Sequence, residues 1–296
     1  MRNWDDMKAF LAVARAESLS AAGKSLRVDP ATVGRRISRL EAEMAVPLFA
    51  KSPQGYALTI AGQRLQAHAE RVEQAMQDGV EAVSGDPNRL TGLIRLGAPD
   101  GCANFLLPQV CAAIMDDNPD LEIQIIALPR DFNLTRREAD LAIAVSAPTA
   151  GRLAVQKITD YHLVLGASRD YLARHGPITA LEDLAGHRMV GYIPDMIFDK
   201  ELDYLSEFGI DRVGLASNSV SVQMNWVRQG CGLGVLHDFA LPFAPEVVPV
   251  LPDRRIRRSY YLLRHVDDLR LERLGRFASA LSEGLRREVT LREGNS

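Results

Sequence analysis

The sequence predicts an α/β chain in two parts: a helical N-terminal module, and a longer half in which strands and helices alternate. Three observations predict it. Apolar residues recur at helical spacing up to about Ser84, with one short turn-rich interruption near residue 52. From Leu93 onward, short apolar runs are separated by helix-length stretches. The length, 296 residues, suits about two domains, each with its own core.

The first helix is WDDMKAFLAVARA, residues 4–16, with Met7, Phe10, Leu11 and Ala14 on one face. Ser18 precedes a second, at 19–26, and Arg27-Val28-Asp29 interrupts it. Asp29-Pro30 restarts the chain as a helix, because Asp is a good N-cap and Pro suits the first helical position. In the third helix Val33, Ile37, Leu40 and Met44 share a narrow arc, and Ala31, Thr32, Arg35, Arg36 and Arg39 occupy the opposite one. Ala21 and Ala22 are small enough for the second and third helices to cross closely, while Leu26 and Val28 fill the corner. Two short helices with a tight turn and a basic outer face describe a helix-turn-helix. Gly34 costs roughly 1 kcal/mol relative to alanine inside a helix, a cost tolerable where the helix must approach something closely, such as a DNA backbone. On this stretch alone, an amphipathic surface helix with solvated arginines is the other reading.

The flanking residues extend the pattern. VPLFAKSPQGYALTIAG, residues 46–62, places apolar anchors at Leu48 and Phe49, a turn-rich tip at 51–55 and a returning strand at 56–58: a small wing. Thr59 then caps a helix running to about Ser84. In it Leu65, Ala69, Val72, Met76, Gly79 and Val83 repeat at alternating spacings of four and three, a coiled-coil-like seam. Packing of that face against its own domain is the alternative. Residues 84–88, SGDPN, form a hinge.

In the second half, strands are expected at 93–98, 121–128, 140–145, 162–167, 188–192, 213–217 and 232–237. Helices are expected at 102–115, near 132–138, at 219–230 and at 269–287. The alternation implies largely parallel sheets. Ligands of such sheets sit beyond the carboxyl ends of strands, where helix N-termini gather. That rule selects Pro99, Asp100, Cys102, Ser146, Thr149, Tyr192, Ser217, Asn218, Ser219 and His237. Each is also readable singly as a cap or turn residue.

Composition narrows the function. The net charge of −3 does not announce a nucleic-acid binder, but residues 24–51 carry a net +3. A few phosphate contacts per module give weak, salt-sensitive binding, so useful affinity needs two or more modules on one DNA. No P-loop, GxGxxG, GxSxG or HExxH is present, and the six histidines are scattered, so an enzyme is not expected. The three cysteines, at 102, 111 and 231, show no metal spacing; neither metal nor cofactor is called for. Cys111 shares a helix face with Leu107 and Ile114 and reads as core. The chain lacks an apolar run of membrane-spanning length and opens on a charged, helical stretch rather than a secretory signal. A cytoplasmic protein with no membrane partner is expected.

The chain resembles the LysR-type transcriptional regulators along its whole length. The resemblance rests on AFLAVARAESLSAAGKSL, the VxxxxVxRRIxRLE core at 28–41, VPLF at 46–49, LTIAG at 58–62 and READLAI at 137–143. It implies a winged helix-turn-helix over 1–60, a dimerising linker helix and hinge over 61–90, and an effector-binding domain over 91–296. That domain would have two subdomains, as in a periplasmic solute-binding protein, about 91–160 with 266–296 and about 161–265. Chain crossings would lie near 147–161 and 255–267. DNA contacts would come from Ser20, Asp29, Pro30, Ala31, Thr32, Arg35, Arg36, Arg39, Lys51 and Gln54. The effector set would be Pro99, Asp100, Cys102, Ser146, Tyr192, Ser217, Ser219 and His237, and the dimer seam Leu65, Val72 and Met76. The implied partners are double-stranded promoter DNA, a small-molecule effector, RNA polymerase and further copies of the chain as homodimer or homotetramer. Three departures bear on DNA sequence preference: Asp29-Pro30 where a polar pair such as Ser-Gln often opens the recognition helix, Gly34 where Ser is usual, and Lys51 and Gln54 where the wing usually has arginines. At Asp100, relatives that bind carboxylates often present a hydroxyl, so a carboxylate there argues against a simple anionic effector. A redox-sensing regulator using Cys102 or Cys231 is the alternative reading.

Overall fold

The computed structural model describes residues 3–52, 55–84, 89–127, 139–148, 151–210 and 212–294. Two compact units divide the chain, Met1–Asn88 and Arg89–Ser296.

The first unit opens with α1 (Trp4–Ala16), α2 (Leu19–Leu26) and α3 (Pro30–Met44). Each start is capped as its sequence requires: Asn3 accepts from the Asp5 amide, Ser18 from Ala21 and Asp29 from Ala31. The apolar arcs converge, and Met7, Phe10, Leu11, Val33, Ile37 and Leu40 are all buried in one core. The turn between α2 and α3 depends on Gly23 rather than on Ala21, which is exposed. A Cβ at Gly23 would lie 2.8 Å from the Val28 carbonyl oxygen. Strands β1 (Phe49–Ser52) and β2 (Gly55–Leu58) pair antiparallel as the wing. Gly55 has φ +136°, and a Cβ there would meet the Glu17 carbonyl oxygen at 2.5 Å, so only glycine fits. The Glu17 carbonyl also accepts the Tyr56 amide at 2.9 Å, tying the wing to the end of α1. Helix α4 (Ile60–Ser84) follows, its first turn capped by Thr59 Oγ1 accepting from the Gly62 amide at 3.0 Å.

The second unit contains β3 (Gly92–Ala98), α5 (Asp100–Phe105), α6 (Leu107–Asp117), β4 (Leu121–Ala127), β5 (Leu141–Ala144) and β6 (Leu153–Ser168). Then come α7 (Arg169–His175), β7 (Met189–Gly191), β8 (Leu215–Ala216), α8 (Val220–Arg228), β9 (Leu233–His237), β10 (Val247–Pro249), β11 (Arg255–His265) and α9 (Glu272–Glu293). The expected helix over 102–115 is two, α5 and α6, meeting at Leu106 just before Pro108. The helix expected near 132–138 lies outside the described residues.

The sheet runs in the order β4-β3-β5-β11-β6-β9-β7-β8. At its two ends the pairs β3–β4, β3–β5, β7–β8 and β7–β9 are parallel. In the middle, β11 pairs antiparallel with β5 and with β6, and β6 antiparallel with β9. The expectation of largely parallel sheets therefore fails at the centre. The long strands β6 and β11 pair from Leu153↔His265 to Val164↔Arg255, with a bulge at Tyr260/Tyr261, and carry the chain between two α/β subdomains. Their apolar pattern is masked by charge: Arg258 Nε pairs with Glu201 at 3.0 Å and its Nη2 with Glu207 at 3.0 Å, Arg257 pairs with Asp160, and Arg255 meets the buried Asp238 at 3.0 Å.

Candidate DNA-reading helix and effector cleft

The polar edge of α3 divides by partner. Arg35 is exposed, and its Nη2 donates to Thr32 Oγ1 at 2.9 Å. Ser20 on α2 and Ala31 on α3 are also exposed. Arg36 lies 3.7 Å from Asp5. Arg39 has a different partner: Nε donates to Asp6 Oδ2 at 2.7 Å and Nη2 donates to Asp6 Oδ1, so two of its three guanidinium nitrogens serve a buried carboxylate on α1. Arg39, expected among the DNA contacts, has half of its side chain in solvent and a second role inside the module. It clamps α3 to α1, and the reason is the acid at Asp6, only 2% exposed, which requires a partner. Sequence reasoning also missed Glu41. Its Oε1 accepts the amides of Leu48 at 2.8 Å and Phe49 at 3.1 Å, fixing the wing's first strand to α3. Asp29 is used as the α3 cap, and Pro30 stands at its first turn. Lys51 lies on β1 opposite Tyr56; Gln54 lies outside the described residues. The protein itself makes no demand for glycine at Gly34, where a Cβ would find only Leu19 Cδ1 at 3.4 Å.

On α4, Leu65 packs against the core of its own unit and Ala69 is fully buried there, so Leu65 does not belong to an open seam. Val72 and Met76, further along, are 42% and 48% exposed.

In the second unit, the strand ends bring part of the expected set together. Asp100, at the first turn of α5, reaches the N-terminus of α8 in the other subdomain. Its Oδ2 accepts from Ser219 Oγ at 3.2 Å and from the Ser221 amide at 3.2 Å. Its Oδ1 accepts from Asn104 Nδ2 at 3.1 Å. Ser219 caps α8 through the Val222 amide, and Ser217 Oγ accepts the Ser219 amide at 3.1 Å. Asp100 thus satisfies one orphan donor of α8 and places negative charge at its positive end. Pro99 is the N-cap position of α5. A second bridge joins the subdomains: Ser146, after β5, donates to Asp199. Asp199 opens the short turn Lys200–Leu202, a link no sequence signal pointed to. Thr149 lies outside the described residues.

Behind these groups stands an aromatic cluster. Tyr161 on β6 stacks on Tyr260 of β11 at 4.2 Å and on His237, at the end of β9, at 5.5 Å. Tyr192 meets Tyr204 edge to face at 5.7 Å. Burial pushes all four tyrosine hydroxyls up from their ordinary value. Burial also holds His237 neutral, its pKa pushed down to about 3. His237 lies against Gly101, where a Cβ would come within 2.8 Å of Cε1. Cys102 is fully buried, and burial raises its thiol far above the usual range. Its expected exposure to a ligand is corrected: it is core, and a buried protonated thiol is a poor redox group. Cys111 is likewise buried, its thiol pushed up to about 11. Cys231 is half-buried. Among the described residues no group of three or more His, Cys, Asp or Glu is arranged to hold a metal.

A helix-turn-helix with a wing, followed by a two-subdomain α/β unit with polar bridges across it, matches two family descriptions. Residues 4–63 match the bacterial regulatory helix-turn-helix protein, lysR family, and residues 87–286 match the LysR substrate binding domain. The chain belongs to the LysR family. It is similar to the HTH-type transcriptional activator TtdR of Escherichia coli (strain K12), 27% identical over 264 residues, covering 84% of this chain and 82% of that one. The HTH-type transcriptional regulator PtxR of Pseudomonas aeruginosa is 27% identical over 301 residues, covering 97% and 94%. Among solved structures, the probable transcriptional regulator PA0477 from Pseudomonas aeruginosa shares the fold at 18% identity, with TM-score 0.68 and coverage of 96% and 97%. This LysR-type chain is therefore a DNA-binding transcriptional regulator with an effector-binding domain, not an enzyme. LysR-type regulators bind promoter DNA and small-molecule effectors and form oligomers. No helix among the described residues is long and apolar enough to cross a membrane.

Proposed function

We propose that this LysR-type regulator reads its promoter with the outer edge of α3 and senses a small molecule in the cleft between its two C-terminal subdomains. For DNA, the supporting observation is the exposed Arg35 with Thr32 beside it on a helix whose opposite face is core. Base edges would be reached from Ala31 and Thr32, and phosphates from Ser20, Arg35, Arg36 and Lys51. Dimerisation would use the exposed Val72 and Met76 of α4, in a dimer or a tetramer. The protein would act in the cytoplasm and engage RNA polymerase.

The observation that carries the sensing role is the pair of bridges from one subdomain to the other, Asp100 to Ser219 and Ser221, and Ser146 to Asp199. Both bridges lie where a ligand would touch the two subdomains at once, so a ligand with different affinity for their joined and separated states would shift that balance. By linkage the effector changes DNA affinity by the same factor as DNA changes effector affinity. Where bending changes without affinity, the coupling appears in footprint length.

The test is a thermal-shift screen of the full-length protein against a metabolite library, followed by promoter binding with each hit. A binder at a hundredfold excess over its Kd stabilises by about 2.7 kcal/mol. Hits that stabilise the protein and change the promoter footprint support the reading. A library without one stabilising compound counts against the sensing role.

A further inference from the structure

Beside α8, within the second subdomain, lies a chamber of about 470 Å³, a volume suited to a small organic ligand. Most of its wall is apolar, with Ile197, Leu202, Leu205 and Val213 among its residues. Its polar lining consists of Tyr192, Asp203, Tyr204, Ser206 and Gln223; Asp203 is the one charged side chain among the described lining, and no lysine or arginine is there to oppose it. A second carboxylate, Asp100, accepts from Ser219 and from the Ser221 amide at the N-terminus of α8, the helix whose Gln223 lines the chamber.

The layer behind the chamber holds buried polar atoms that lack partners. Tyr161 is fully buried and its hydroxyl has no hydrogen bond of good geometry, although it lies toward Tyr204. The Tyr260 hydroxyl is buried without such a bond as well. His237 Nδ1, on a ring only 3% exposed, also lacks a partner. Native proteins leave few buried polar groups unpaired, and each calls for an explanation. Asp100 itself is oriented rather than saturated. It receives three donors at 3.1–3.2 Å, and a carboxylate offers about four lone-pair positions.

An ammonium group suits the carboxylates and the tyrosine faces of this site. It brings three N–H donors and no acceptor, and it is attracted both to carboxylates and to the faces of tyrosine rings. A ligand carboxylate would face two acids with no cation among the described lining to receive it, an arrangement that rejects it.

We propose that the chamber takes an organic ammonium ion, a primary amine on a short apolar body, with Asp100 and Asp203 as counter-charges and Tyr192 and Tyr204 as ring faces. This rests on the sensing role proposed above, sets the effector's body in the subdomain that carries α8, and gives that effector a chemical class. An amine drawn to Asp100 engages the same carboxylate that bridges to Ser219 and Ser221, so binding would act directly on the contact between the subdomains.

The experiment is calorimetric titration of the full-length protein with three compounds of one shape: 2-phenylethylamine, 2-phenylethanol and 3-phenylpropionate. The expected order is amine first, alcohol at least tenfold weaker, and carboxylate without saturable binding. Asp100→Asn should weaken the amine at least tenfold and leave the alcohol within about twofold. Asp203→Asn repeats the test should the first variant fail to fold. Preference for the carboxylate, equal binding of amine and alcohol, or an amine affinity unmoved by Asp100→Asn and Asp203→Asn would each overturn the proposal. Silence of all three compounds, and of n-butylamine, overturns it too. The sensing role is judged separately, by the library screen, and survives if that screen yields an effector of another class.

Discussion

Arg39 on α3 grips Asp6 on α1 through two of its guanidinium nitrogens, Nε and Nη2, one to each carboxylate oxygen. The acid is buried, whereas half of the arginine side chain remains in solvent. The carboxylate has been taken out of water next to the helix crossing that shapes the reading module, and removing its cation leaves it uncompensated. Arg39→Ala is therefore expected to lower the urea midpoint of the N-terminal unit, and Arg39→Lys, which cannot reproduce the two-point contact, to lower it less. Following Trp4 fluorescence in a Trp226→Phe background isolates that unit. An Arg39→Ala midpoint equal to that of the parent would show that the pair contributes nothing.

Arg35→Ala should behave in the opposite way. The side chain is exposed and its recorded partner is Thr32, one turn earlier on the same helix, so thermal stability should be unchanged. Promoter affinity should fall, and if Arg35 meets phosphate the slope of log K against log salt should flatten by about one unit. Equal promoter binding by the variant at moderate salt removes α3 as the reading helix.

Much of this architecture was legible because local signals agreed. Asp29-Pro30 capped α3 and the arc Val33, Ile37, Leu40 supplied its buried face, so sequence and structure coincide at Pro30–Met44. The parallel strand β3 was readable as an apolar run for the same reason. What escaped were relationships set by distant partners. Arg39 looked like its neighbours until Asp6 was placed beside it. Strand β11 was hidden because its arginines are neutralised by Asp160, Glu201, Glu207 and Asp238 rather than left to solvent. The cleft was legible only in outline. Asp100, Ser217 and Ser219 do gather, but Tyr161, Tyr204 and Tyr260 have no strand-end or cap signature, and the Asp100 to Ser219 contact spans 119 residues of sequence.

Helix α4 yields a discriminating pair of substitutions. Val72 is 42% exposed, whereas Leu65 packs into the core of its own unit. Val72→Glu should leave the isolated chain folded and dissolve the oligomer, since a charge buried unpaired at a seam costs several kcal/mol. Light scattering would show the loss of mass, with promoter binding lost alongside. Leu65→Glu should instead unfold the first unit. A Val72→Glu protein that remains a folded oligomer would move the seam to another surface.

His237 sets a pH dependence of stability in the second unit. Its ring lies among Tyr161, Tyr204, Phe239 and Gly101, all apolar or uncharged neighbours, and burial holds its pKa near 3, well below the ordinary value of 6.5. Above about pH 6.5 the imidazole is neutral whether the chain is folded or not, and it adds no slope. Below that, the unfolded chain takes up a proton that the folded one refuses. Stability present above pH 6.5 is then lost as pH falls toward 3, at up to about 1.4 kcal/mol per pH unit. Between pH 7.5 and pH 5.0 the single group should account for about 2 kcal/mol. His237→Phe has no proton to gain, so its urea midpoint should fall less over the same interval, even if repacking lowers its stability at both pH values. Trp226 fluorescence in a Trp4→Phe background reads this unit alone. Equal acid sensitivity of parent and variant would mean that His237 is solvated or charged in the folded protein, contrary to its place in the core.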